Sequence, residues 1–226
     1  EPKVAVISGG GSGHEPLHTG LVGKGMLDAA CPGQIFTSPT PDQMLAAAET
    51  VENGAGVLFI VKNYAGDVMN FEIAAEMLEC QHETVLVKDD VSLPEAHSTG
   101  RRGVAGTLIV EKMVGAAAEQ GKDLNQCKKL GDRVEPMTMS SAEELVQHVT
   151  AAIDKELNPQ AGQQVLLHVN GFGATPLMEL YLVFDLAAKF WEEKGVEIKR
   201  SLVGNYTTSL DMAGCSVTLT LLDEEM

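Results

Sequence analysis

Three features of the sequence predict an α/β fold, with a mostly parallel sheet flanked by helices and a second, smaller α/β domain. Short β-branched-rich runs alternate with segments of helical periodicity. The early runs each break into a glycine-rich or polar cluster. The pattern then restarts after an abrupt join at Asp132-Arg133-Val134-Glu135-Pro136, which sets the expected domains at residues 1–134 and 135–226.

In chain order, residues 3–7, 56–61 and 84–88 are apolar and rich in Val, Ile, Leu and Phe, the composition of buried strands. Thr40-Pro41-Asp42-Gln43 has the form of a helix start, with Thr at the N-cap, Pro at N1 and Gln at N3. Met44, Ala47, Ala48 and Val51 follow on one face. A second helix is expected after Asp67, with Val68, Phe71, Ala75 and Leu78 spaced for burial. A third is expected from about Gly103 to Gln120, stopped by Gly121. Past the join, Ser140-Ser141-Ala142-Glu143-Glu144 starts a helix carrying Leu145, Val149 and Ile153. A strand over 165–169, a helix through Trp191, and strands over about 197–203 and 216–222 complete the chain.

The chain has 226 residues, enough to bury a sizeable core, and 16 basic against 32 acidic residues leave a net charge of −16. That balance argues against nucleic acid or an anionic membrane as the main partner, since both select clustered Lys and Arg. No apolar run approaches the length of a membrane span, and Glu1-Pro2-Lys3-Val4 does not have the form of a signal peptide. Cys31, Cys80, Cys127 and Cys215 are scattered with no C-x-x-C pair, so reduced thiols and no metal site are expected. Together these features predict a cytoplasmic protein.

The chemistry is expected at the strand ends. Ser8-Gly9-Gly10-Gly11-Ser12-Gly13-His14-Glu15-Pro16 follows the first strand, Lys62-Asn63-Tyr64-Ala65-Gly66-Asp67 the second and Asp89-Asp90 the third. In an open parallel sheet the carboxyl ends lie on one edge, which brings His14, Lys62 and Asp67 towards one crevice. His14 can exchange a proton near neutral pH. Asp67 can accept the proton of a substrate hydroxyl, and Lys62 offers donors and charge to a carbonyl or phosphoryl oxygen. The amides of Gly11, Ser12 and Gly13 can hold the oxygens of a small polar molecule. Each residue also has a plain structural reading: Asp67 as a helix N-cap, Lys62 as a solvated charge, His14 as a loop residue. His18 stands near enough to the loop to support it, whereas His82 and His148 read as surface positions. The glycine loop is neither a P-loop, since no Lys-Ser or Lys-Thr follows, nor a G-x-G-x-x-G fingerprint. If the protein takes part in phosphoryl transfer, nucleotide and metal come from another subunit.

Ser8–Pro16, Phe36-Thr-Ser-Pro39, Val61-Lys-Asn-Tyr64 with Gly66-Asp67, Gly100-Arg-Arg-Gly103 and Gly115-Ala-Ala-Ala-Glu119 resemble the substrate-binding K subunit of dihydroxyacetone kinases, as do Gly173-Ala-Thr-Pro-Leu-Met-Glu-Leu-Tyr181, Val203-Gly-Asn-Tyr206 and Ser209-Leu-Asp-Met212. The pattern is similar to the bacterial type that works with the phosphotransferase system. The resemblance implies a phosphotransferase subunit in which Gly11, Ser12, Gly13, His14, Lys62 and Asp67 bind dihydroxyacetone, with His14 as proton acceptor and Asp67 on the hydroxyl to be phosphorylated. It implies no cofactor on this chain, ADP and magnesium on a partner L subunit, an M subunit fed by phosphoenolpyruvate, and a homodimer. Some relatives of the K subunit are instead ligand sensors that coactivate a transcription regulator. The family also holds its ketone as a hemiaminal on a second histidine, in a His-Gly-Glu-Pro-Gly-like motif. That motif is absent here, and its place falls between Val134 and Glu135.

Overall fold

The computed structural model describes residues 2–91, 100–133, 137–140, 145–224 and 226. The first sheet contains β1 (Ala5–Ser12), β2 (Ala29–Ile35), β3 (Val57–Lys62) and β4 (His82–Val87) in the order β2-β1-β3-β4. All its pairings are parallel. Helices α1 (Pro41–Val51), α2 (Ala65–Met77), α3 (Gly106–Glu119) and α4 (Leu124–Arg133) accompany it. The pleat sends alternate residues to opposite faces. Val4, Val6, Leu58 and Ile60 pack with Ile109, Val114 and Leu130, whereas Ala5, Ile7, Phe59 and Val61 pack with Met44, Ala48 and Phe71. Every residue of β3 is buried, because helices cover both faces, and this accounts for its unbroken apolar run. Each fully buried side chain such as Phe59 or Phe71 contributes about 1.5–3 kcal/mol relative to exposure.

The expected helix start at Thr40 is present: Pro41 opens α1, and the Thr40 N–H donates to Gln43 Oε1 at 3.0 Å. Four local features depart from expectation. The strand β1 runs on through Ser12, so the glycines belong to the sheet rather than to a loop. Its neighbour β2, not foreseen in Cys31-Pro32-Gly33, is an edge strand, where a proline costs no central ladder bond. A Cβ on Gly9 would stand 2.6 Å from the Cys31 carbonyl oxygen, so the close approach of β2 requires glycine there. The third helix begins at Gly106 rather than Gly103, because Asp89 draws in the preceding turn by accepting from the Val104 and Gly106 amides at 2.7 and 2.8 Å. Helix α4 was not foreseen; it buries Leu124, Cys127 and Leu130 on one face.

The second sheet is mixed. It contains β5 (Met137–Ser140), β6 (Gln164–Gly171), β7 (Glu197–Gly204) and β8 (Cys215–Leu222) in the order β5-β8-β6-β7. Strand β6 is parallel to β7, and β8 is antiparallel to β5 and β6. Helices α5 (Leu145–Leu157) and α6 (Leu177–Glu193) complete this half. Val165, Leu167, Val169, Val217 and Leu219 form its core with Val149, Ile153, Leu180 and Trp191. The expected join at Val134–Glu135 and the helix-starting residues 141–144 lie outside the described residues.

Candidate functional site

Because the first sheet is wholly parallel, the carboxyl ends of β1, β3 and β4 share an edge, and the polar clusters after them meet there. A cavity of about 300 Å³ opens at this edge, with Gly11, His14, Lys62 and Asp67 in its wall. Phe36, Ser38, Tyr64 and Ser209 complete the lining. A second lobe of about 210 Å³ shares His14, Lys62 and Tyr64 and runs to Asn170, Thr207 and Ser216 of the other half.

His14 is fixed by a contact between the halves: its Nδ1 lies 2.7 Å from the Thr208 carbonyl oxygen. The Thr208 amide donates to the His14 carbonyl at 3.3 Å, and the Leu210 amide to that of Gly13 at 3.1 Å. A carbonyl only accepts, so Nδ1 carries the hydrogen and Nε2 keeps its lone pair. Burial holds the imidazole below its ordinary value; the Thr208 bond offsets part of this, and the nearby Lys62 and His18 add to it. The ring is therefore a neutral proton acceptor at pH 7.

Lys62 is 5% exposed, and its ammonium lies 5.6 Å from the Tyr64 ring centroid. Burial lowers its pKa, and the charges of Asp67, Glu111 and Asp89 oppose that shift. A solvated surface charge is thereby excluded. Asp67 is buried in the first turn of α2, where the helix dipole favours an anion. The N-cap is Tyr64, so Asp67 is not the cap, and its Oδ1 has no partner among the described residues. It is an acceptor at the cavity wall.

Ser12 and Gly13 lie behind that wall rather than in it. The Ser12 hydroxyl donates to the Gly33 carbonyl at 2.6 Å, and the Gly13 amide to Glu15 Oε2 at 2.8 Å. Asp89 and Asp90 are likewise engaged, Asp89 with the turn before α3 and Asp90 with Arg102 at 2.6 Å. His18 is buried against Glu111. His82 is half-buried in β4, with Nδ1 3.1 Å from the Cys80 carbonyl, whereas His148 is exposed as expected. The sequence pattern gives no site role to Phe36, whose ring centroid lies 5.0 Å from that of His14, or to the Thr207–Ser209 segment. No periodicity marks either one; only the motifs Phe36–Pro39 and Ser209–Met212 point to Phe36 and Ser209. The cysteines among the described residues are free, no group of three or more metal-ligating side chains occurs there, and no helix there is long and apolar enough to cross a membrane.

The Dak1 domain family matches residues 1–141 and again 134–226. The chain belongs to the Dak1 family. It is 42% identical to the PTS-dependent dihydroxyacetone kinase, dihydroxyacetone-binding subunit DhaK of Lactococcus lactis, over 99% of this chain and 81% of that protein. It is 37% identical to the PEP-dependent counterpart of Escherichia coli, over 99% and 83%. Among solved structures it superposes on a dihydroxyacetone kinase operon co-activator, Dha-DhaQ, with a TM-score of 0.92 and 30% identity, covering 98% of this chain and 83% of that one. The two Dak1 matches overlap at 134–141, around the abrupt join. The Lactococcus alignment spans 270 positions against a chain of 226 residues, so at least 44 of those positions have no counterpart in this chain.

Proposed function

We propose that this Dak1 chain is the dihydroxyacetone-binding subunit of a phosphoenolpyruvate-fuelled dihydroxyacetone kinase. The observation that carries the reading is the convergence of a neutral His14, a buried Lys62 and an Asp67 Oδ1 without a partner among the described residues on one cavity. Three polar groups around a small cavity suit a three-carbon hydroxyketone. Lys62 donates to a ketone oxygen, and the Gly11 backbone allows close approach. Asp67 accepts the hydrogen of the terminal hydroxyl and takes its proton as that oxygen attacks phosphorus; His14 Nε2 accepts from the other hydroxyl and serves as the second proton acceptor. Most of the rate then comes from holding the nucleophile in line. The phosphoryl group arrives on an L subunit with ADP and magnesium, recharged by an M subunit of the phosphotransferase system, and the chain works as a cytoplasmic homodimer.

A sensor reading is favoured by one specific finding, the close superposition on an operon co-activator. Reconstitution with L and M subunits, phosphoenolpyruvate and dihydroxyacetone separates the two. Dihydroxyacetone phosphate above background is the expected result. Ligand binding with no product from any L subunit, together with ligand-dependent association with a transcription regulator, would replace the kinase by the sensor. Borohydride trapping followed by intact-mass measurement asks separately whether a chain without the second-histidine motif forms any covalent adduct with the ketone.

A further inference from the structure

Behind the glycines is a buried pair that the proposed chemistry does not use. His18, 5% exposed, places Nδ1 2.5 Å from Oε1 of Glu111, which is fully buried in α3. The remaining atoms of the pair, His18 Nε2 and Glu111 Oε2, have no partner among the described residues. Gly10 shows what lies beside Nε2. A Cβ built on that residue would stand 3.0 Å from Lys62 Nζ and 3.4 Å from His18 Nε2, so both nitrogens flank the same bare Cα. Lys62 itself has no ion pair among the described residues.

The chemistry of these atoms sets an order. A carboxylate oxygen accepts, so the ring nitrogen facing Glu111 donates, and in the neutral ring the other nitrogen presents a lone pair. That lone pair makes no hydrogen bond among the described residues, and the Lys62 ammonium lies on the other side of the same Gly10 position. A lysine without a salt bridge, drawn out of water, needs an acceptor or a nearby anion to stay charged. His18 offers the acceptor, and Glu111 behind it offers the anion.

We propose that Glu111 and His18 are positioning residues for Lys62: Glu111 fixes the His18 ring with Nδ1 as donor, and the Glu111 charge together with the unused Nε2 lone pair beside Gly10 keeps the Lys62 ammonium charged and facing the ligand cavity. The proposal depends on the functional reading only for the identity of the ligand. The bareness of Gly10 gains a purpose, since a methyl group there would push the lysine head away.

The groups that face Lys62 are Asp67 from α2, Asp89 beyond β4, Glu111 from α3, and His14, His18 and Tyr64 from the loops. Glu111→Gln keeps the size and a hydrogen-bonding oxygen but removes one of the three anions that support the ammonium, so the lysine must lose its proton at lower pH. The test is acetic anhydride labelling of Lys62 in ligand-free protein between about pH 7 and 11, read by peptide mass spectrometry. Wild type, Glu111→Gln and His18→Gln are compared, with circular dichroism to establish that each is folded. The expected result is half-labelling about one pH unit lower in Glu111→Gln and a smaller shift in the same direction in His18→Gln. Calorimetry should show both variants binding dihydroxyacetone about tenfold more weakly, an effect largely lost when Lys62→Met is already present. Labelling curves that coincide in the folded variants would overturn the proposal. So would additive losses in the Lys62→Met background. If Glu111→Gln fails to fold, the His18→Gln curve alone decides by the same criterion. A shifted labelling curve in a protein that does not bind dihydroxyacetone would keep the positioning role and sink the ketone reading instead.

Discussion

The Nδ1 of His14 and the carbonyl oxygen of Thr208 meet at 2.7 Å although 194 residues separate them in sequence. This bond ties the end of the glycine strand, in the first half of the molecule, to the loop between β7 and β8 in the second. It also settles which nitrogen of His14 is available as a base. With the Thr208 and Leu210 amides on the His14 and Gly13 carbonyls, it aligns the two halves and prepares the site.

Replacing His14 with Ala removes that base and the clasp together. Turnover in the reconstituted kinase should fall by about 10²- to 10⁴-fold, and capture of dihydroxyacetone should weaken in calorimetry. Unchanged capture would remove His14 from the site. Burial lowers the His14 pKa, so the acid limb of the wild-type rate should lie below the ordinary imidazole value of about 6.5. A limb at or above that value would contradict the neutral base.

Asp67→Ala should separate binding from chemistry. In the proposed mechanism its carboxylate takes the hydroxyl proton as the attack begins, whereas Lys62, Gly11 and His14 also hold the ligand. Product formation should drop to background while the dissociation constant stays within a few-fold. Activity surviving within a few-fold would rule out the base role.

His168 should govern stability in acid. It is completely buried in β6, neither ring nitrogen has a partner among the described residues, and burial pushes its pKa down to about 4. The unfolded chain takes up a proton below about 6.5 and the folded one only below about 4, so stability falls as pH drops through that window. The loss is on the order of 3 kcal/mol when complete. Urea melts at pH 7 and pH 4.5 should show a smaller difference for His168→Leu than for wild type. Equal differences would show that His168 titrates freely.

Gly13 and Gly162 offer a paired test of backbone and packing. Both have positive φ, 103° and 84°. A Cβ on Gly13 would lie 2.7 Å from the Phe36 ring, whereas one on Gly162 meets nothing within 4 Å. Gly162→Ala should therefore cost only the backbone strain, about 1 kcal/mol, and Gly13→Ala more, about 2–3 kcal/mol. Equal shifts of the urea midpoint would mean that the Phe36 ring gives way freely.

By itself the sequence determined the α/β class, the β3 core strand, the α1 start at Thr40 and the gathering of His14, Lys62 and Asp67 on one edge. These rest on local signals: an apolar run, a cap, and polar clusters at the ends of parallel strands. Tertiary structure decided the rest. The glycines of β1 look like a loop in sequence and become strand only because β2 packs within 2.6 Å of where a Cβ would stand. Asp67 changes from a possible cap to an acceptor without a partner among the described residues because Tyr64 takes the cap position. The His14 tautomer, the Phe36 and Ser209 walls and the Glu111–His18–Lys62 line each join residues far apart in sequence. No local pattern encodes such pairs, because their energies arise only when the chain brings the partners together in a site from which water is excluded.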